Sequence, residues 1–229
     1  MANAKGQAVI FEIDPTERYL FLGKTESGKT YAAKSLLREV AKKWPVVIID
    51  PKHFWLGKHP KWARRGEPGT IDKPHLVKKF NPKLHVQVYQ PTAPAIKDEN
   101  LNRLCFDILR WAARNSGVFV FNDEIMECST AASPMQGINS LMTQGRALEV
   151  GAWNASQRPL RIPETVRSQS EKWFVFYIGG SEDRKMVAKE LDTPAIIDDK
   201  LRDHQYFYYD VKKMDHAVKM PAFPKVKGA

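Results

Sequence analysis

The chain has 229 residues, with 36 Lys and Arg against 26 Asp and Glu, a formal net charge of +10. Hydrophobic residues make up 43%, with 13 Gly and 15 Pro, which excludes a disordered or collagen-like chain. A chain of this length can bury about 70% of its unfolded surface, so it needs neither disulfide staples nor a structural metal.

The charge alone leaves nucleic acid, an anionic membrane and acidic protein surfaces open as partners, beside a simply lysine-rich solvated surface. Met1 to Gln7 carries no apolar stretch of signal-peptide length. No segment approaches roughly 18 consecutive apolar residues, so the expectation is a soluble intracellular protein that is not integral to a membrane. The two cysteines, Cys105 and Cys128, lack C-x-x-C spacing and are expected as small core residues in a reducing compartment.

In chain order, Val9–Ile13 and Arg18–Leu22 are apolar runs, the second of strand length and ending at Gly23. From Lys29 the period changes: Tyr31, Ala32, Leu36, Leu37 and Val40 mark one side of a helix over 29–41. Val46–Ile49 is β-branched and continuously apolar, as expected of a strand covered on both faces, and stops at Asp50-Pro51. Residues 51–95 hold seven prolines and little periodicity, and read as an insertion with one strand near 84–89.

Asn100–Ala113 has helical spacing, Gly117–Phe121 is a buried-strand pattern, Ile138–Arg146 a short helix and Leu148–Ala155 a strand. Trp173–Ile178 is a further strand, followed by a helix over Glu182–Leu191. Alternating apolar strands and helices predict an α/β fold, a mostly parallel sheet flanked by helices. The expected organisation is one domain over 1–211 and a basic Lys- and Pro-rich stretch over 212–229, a loose tail or partner-binding arm rather than core.

The sharpest motif is Gly23-Lys24-Thr25-Glu26-Ser27-Gly28-Lys29-Thr30, a G-x-x-x-x-G-K-[ST] P-loop between an apolar strand and a helix. Its glycines let the backbone turn its amides toward phosphate oxygens, and the helix start adds unpaired N–H groups and a positive end. Lys29 is suited to the β- and γ-phosphates, and the Thr30 hydroxyl to Mg²⁺. ATP with Mg²⁺ is the expected ligand pair.

Phosphoryl transfer to water also needs an acid for the metal shell and one to activate water. Asp123-Glu124, after Val118–Phe121, offers both: Asp123 for Mg²⁺ and Glu124 as general base. Asn122 breaks the apolar approach to this doublet. Asp50, at the end of another strand, is a second candidate for the phosphate edge or a loop cap. Gln157 ends a further strand, where it can reach the γ-phosphate or the water. Arg146, Arg158 and Arg184 are candidates for a trans-acting arginine.

The order of these pieces resembles the FtsK–HerA superfamily of P-loop motor ATPases, most of all the genome-packaging branch of tailless viruses with an internal membrane. The resemblance rests on the P-loop, Ile49-Asp50-Pro51-Lys52, Asp123-Glu124, and the run from Leu141-Met142-Thr143-Gln144-Gly145-Arg146 to Ala155-Ser156-Gln157-Arg158-Pro159. It spans about residues 20–163 and weakens toward Leu191. It implies a RecA-like P-loop NTPase fold, a sensor role for Gln157, an inter-subunit arginine at Arg146 and a second at Arg184. Ser156 stands where a threonine is frequent in that superfamily.

Residues 42–85 hold eleven Lys and Arg against three acids, +8 of the net charge, with Trp55, Trp62 and four histidines interspersed. The histidines are too irregular for zinc. In a ring motor, pore-facing loops meet DNA phosphates, so Lys58, Lys61, Arg64, Arg65, Lys78 and Lys79 are the candidate DNA contacts. The resulting expectation is an ATP-hydrolysing homo-oligomeric ring, a hexamer, that moves double-stranded DNA into a viral procapsid. Capsid, portal or membrane-vertex proteins are its further partners, in host cytoplasm or at the virion vertex. The alternatives are a cellular or plasmid DNA translocase or helicase, and a non-catalytic nucleotide-dependent DNA-binding or assembly protein.

Overall fold

The computed structural model describes residues 13–14, 16–56, 74–115, 117–130, 132–198, 201 and 204–223. The run at 9–13 lies almost wholly outside these residues, and Lys58, Lys61, Arg64, Arg65 and Trp62 lie outside them altogether.

The chain builds β1 (Tyr19–Leu22), α1 (Lys29–Val40), β2 (Val46–Ile49), β3 (His75–Leu76) and β4 (Val86–Tyr89). It continues through α2 (Glu99–Asn115), β5 (Val118–Asn122), α3 (Gln136–Gln144), β6 (Val150–Ser156) and α4 (Glu164–Ser168). The last elements are β7 (Lys172–Val175), α5 (Ser181–Glu190), α6 (Ala195–Asp198), β8 (Tyr206–Asp210) and β9 (Val218–Met220). The strand order is β3-β4-β2-β5-β6-β1-β7-β8-β9. Every neighbouring pair from β3 to β7 is parallel, and β8 and β9 add antiparallel at one edge.

The apolar runs become strands because both sheet faces are covered. In β1, Leu20 and Leu22 face a Leu-, Ile- and Val-rich cluster that includes α2, α3 and α5. Tyr19 and Phe21 face the other side, with the small face of α1: Ala32, Ala33, Leu36, Leu37 and Val40. That second side is aromatic. Tyr19 stacks on Trp153 with ring centroids 4.4 Å apart, and Phe21 on Phe174 at 4.8 Å. Cys105 and Cys128 are both free and buried in the first cluster, and burial pushes the Cys128 thiol up to about 12. Neither thiol is poised as a nucleophile.

Two expectations are revised. The helix placed at 138–146 stops at Gln144, because 145–148 tighten into a 3₁₀ turn and Glu149 takes φ 54°. In the stretch after Lys212, expected as a loose tail or partner-binding arm, the described residues return to the sheet as β9 and bury Phe223. The charge of this stretch hid an alternating strand: Val218 and Met220 pack on the aromatic side while Lys219 stands between them. Phe223 stacks on Tyr206 at 4.9 Å and touches Phe174 at 6.0 Å. Truncating a buried Phe costs about 3–5 kcal/mol. Phe223→Ala should therefore lower the unfolding free energy in urea by about 3 kcal/mol, an effect that a solvated tail would not give.

Candidate functional site

Parallel pairing sends the carboxyl ends of β2, β5, β6 and β1 to one edge of the sheet, and each end carries a singled-out group. β1 runs into the P-loop, β6 into Gln157, β5 into Asp123-Glu124 and β2 into Asp50. The P-loop strand does not touch β5; β6 lies between them. Two strand spacings separate β1 from β5, about 10 Å, enough for a terminal phosphate and a water between loop and acids.

The loop hangs from both neighbours of β1: the Gly23 amide donates to the Ser156 carbonyl at 3.2 Å and the Lys24 amide to that of Tyr177 at 2.9 Å. Gly23 (φ 144°) and Gly28 (φ 110°) take backbone angles that disfavour a side chain, and a Cβ at Gly23 would lie 2.8 Å from the Phe176 Cβ. Glu26 also turns left-handed, at φ 63°. Lys29 is buried and its Nζ donates to the Lys24 carbonyl at 2.9 Å, spanning the loop. Burial pushes Lys29 down to about 8, against the pull of Glu124 and Asp123.

A cavity of about 820 Å³ opens over this loop. Thr25, Glu26, Gly28, Lys29 and Thr30 form its floor; Asp123, Glu124, Gln157 and Lys52 form the polar wall. Gln157 joins loop to acids: Thr25 Oγ1 donates to its Oε1 at 2.8 Å, and its Nε2 donates to Glu124 Oε2 at 3.2 Å. Asn122, the polar break before the acids, accepts the Glu124 amide on its Oδ1 at 3.3 Å and so helps set that residue's direction. Burial pushes the Asp123 carboxyl up to about 6, although the Trp55 indole N–H donates to its Oδ2 at 2.7 Å.

Other predicted residues lie elsewhere. Asp50 does not line the cavity: its carboxylate accepts the amides of Phe54 and Trp55, both at 2.9 Å, and folds the loop after β2. Arg184 is braced within its own chain, donating to the carbonyls of Ile178, Gly179 and Ile197. Arg158 pairs with Asp183 at 3.2 Å. Arg146 precedes β6, so the strand's seven residues, about 23 Å at the usual rise, separate it from the end that carries Gln157. Its guanidinium pairs with Glu171 at 2.6 Å. It does not reach the P-loop of its own chain. Lys78 and Lys79 are exposed just after the short edge strand β3. Trp55 is buried, so it anchors the loop and offers no face to a base.

The sequence reading missed two parts of the site. Lys52 and Trp55 contact the two acids, and only their place just after a strand end hinted at that. Phe176, His204, Ala222 and Phe223 form an opposite wall. The last three come from late in the chain, returned to the P-loop by the β8–β9 hairpin, and no local pattern marked them.

A phosphate chain on this loop would restore the full charge on Lys29. Binding of tripolyphosphate should therefore take up a proton above pH 8 and weaken as pH rises past about 8. Calorimetry in two buffers of different ionisation enthalpy checks both.

No protein-family model matches the chain. Over 210 residues it is 28% identical to the DNA packaging ATPase P9 of Enterobacteria phage PRD1, covering 85% of this chain and 82% of that protein. Its fold is similar to that of the genome packaging NTPase B204 of Sulfolobus turreted icosahedral virus 2, solved with ATP-γS. The TM-score is 0.71 at 15% identity, over 93% of this chain and all of that one. The pCW3 conjugation coupling protein TcpA has a TM-score of 0.56 at 16% identity, over 92% of this chain and 62% of that one. The motif order, the mostly parallel sheet with the P-loop at its carboxyl edge and these similarities agree: the chain has a P-loop NTPase fold, similar to that of the viral genome packaging NTPases.

Proposed function

We propose that this chain is a single-domain ATPase motor that packages double-stranded DNA into a viral particle. The observation that carries the reading is the meeting of Lys29, Thr30, Asp123, Glu124 and Gln157 around one cavity. The PRD1 protein, named as a DNA packaging ATPase, matches this chain over most of both lengths, which supports packaging over plasmid transfer.

ATP would lie with its phosphates along the loop, where Lys29 and the start of α1 meet their charge. Water adds to the γ-phosphorus as its bond to the β–γ bridging oxygen breaks. The proton passes to the Glu124 carboxylate, and ADP leaves with the bond's electrons. Gln157, already bonded to both Thr25 and Glu124, links phosphate state to the base.

Thr30 and Asp123 offer hydroxyl and carboxylate oxygens on the same cavity, the hard donor set that suits Mg²⁺ together with phosphate oxygens. The ion would neutralise charge on the phosphates. Its presence is part of the proposal.

The remote position of Arg146 supports action on a neighbour's nucleotide in a ring, for which we propose six copies. Arg184 is less suited, since its donors already hold its own backbone. Lys78 and Lys79 are the described members of the basic segment proposed to meet DNA phosphates. Lys58, Lys61, Arg64 and Arg65 complete that proposal by sequence alone. Among the described residues no helix is long and apolar enough to cross a membrane. Attachment to a capsid or portal vertex, from the host cytoplasm, is a further part of the reading.

Glu124→Gln should bind ATP within a few-fold of the parent and lose at least 100-fold in DNA-stimulated hydrolysis. Full turnover in that variant would remove Glu124 as the base. Arg146→Ala should abolish hydrolysis alone, yet regain part of it when mixed with Lys29→Ala subunits. Equal loss in every mixture would remove the trans role.

A further inference from the structure

We propose that Lys52 is a further catalytic residue, an ammonium that moves between Glu124 and the terminal phosphate of the bound nucleotide. The inference rests on the ATPase reading and deepens it. Lys52 Nζ pairs with Glu124 Oε2 at 2.6 Å. The same oxygen accepts the Gln157 side-chain amide at 3.2 Å, and Oε1 accepts the Gln157 backbone N–H at 3.3 Å. A carboxylate oxygen with two donors has both of its lone-pair directions in use. Held this way, Glu124 Oε2 has no free direction from which to accept a water proton, while Oε1, with one donor, keeps one.

The two ends of this pair differ in exposure. Glu124 is 2% exposed at its side chain and fixed by β5 and the Asn122 contact. The Lys52 side chain is 41% exposed, on a backbone pinned on either side. Asp50 just before it accepts the amides of Phe54 and Trp55 just after it, and the Trp55 ring is tied to Asp123. A backbone held on both sides and an exposed side chain make Lys52 the end of the pair that can swing.

Lys52 lines the same cavity as Lys29, Thr30 and Gln157. A terminal phosphate carries more negative charge than one carboxylate, so an ammonium within reach of both favours the phosphate. Its move would free one direction on Glu124 Oε2 for water. It would also place a second cation, beside Lys29, where charge builds during transfer. ADP has no group to draw Lys52 away, so the pair with Glu124 would re-form after each turnover. Withdrawing a cation from a buried carboxylate is otherwise costly, which keeps Oε2 covered until a triphosphate arrives.

The test compares Lys52→Met, which keeps the stem and drops the charge, with Lys52→Arg. ATPγS and ADP affinities are measured by calorimetry, and kcat and KM by steady-state hydrolysis. Lys52→Met should lose at least tenfold in its preference for ATPγS over ADP and at least tenfold in kcat. Its ADP affinity should stay within twofold, which also reports a folded site. Lys52→Arg should regain most of the ATPγS preference. An unchanged ATPγS-to-ADP ratio in Lys52→Met would overturn the contact with the terminal phosphate. A rise in kcat would overturn it too, by reducing the pair to a restraint. If the parent protein bound neither nucleotide, the ATPase reading itself would fall.

Discussion

Parallel pairing of β1 with both β6 and β7 is the constraint on which the site depends. In a parallel ladder each strand leaves at the same edge, so a loop that needs several chain segments to meet is served without long excursions. The Gly23 amide bonds to Ser156, the last residue of β6, and the Lys24 amide to Tyr177, just past the end of β7, which makes the ladder and the loop one hydrogen-bonded unit. The order of strands then sets the distances. With β6 between β1 and β5, Gln157 falls between phosphate loop and acids and bonds to both.

The two faces of the sheet differ in how they hold this unit. One is aliphatic and carries α2, α3 and α5; the other is a run of stacked rings covered by α1. Aromatic pairs fix relative orientation more strictly than aliphatic contacts do. Tyr19, Phe21, Trp153 and Phe174 thus align β1, β6 and β7 from the side on which α1 begins. The rigidity lies under the loop, while exposed Lys52 stands at the cavity's wall.

Most of the fold was legible because buried parallel strands write themselves as short apolar runs. Val46–Ile49 and Val118–Phe121 needed no further context, and Gly23 to Thr30 carries its own chemistry. What escaped were contacts between groups far apart in sequence. Asp50 could equally have served phosphate or a loop, and only the amides of Phe54 and Trp55 decide between them. Asn122 reads in the sequence as an interruption of an apolar run, and only the fold puts its oxygen on the Glu124 amide. β3 is two residues long and exposed, too short for any period to show. β9 hid behind its lysines.

The return of the chain at β9 has a mechanical consequence. Phe223 belongs at once to the aromatic packing and to the wall of the cavity over the P-loop. A ligand that touches Phe223 in its docked place stabilises that docking by the same free energy by which docking strengthens the ligand's hold. Tension applied to the chain beyond Phe223 would be felt as weaker grip on the ligand, and release of the ligand as slack in the chain. The β9 segment is thereby a handle on the site that the P-loop builds.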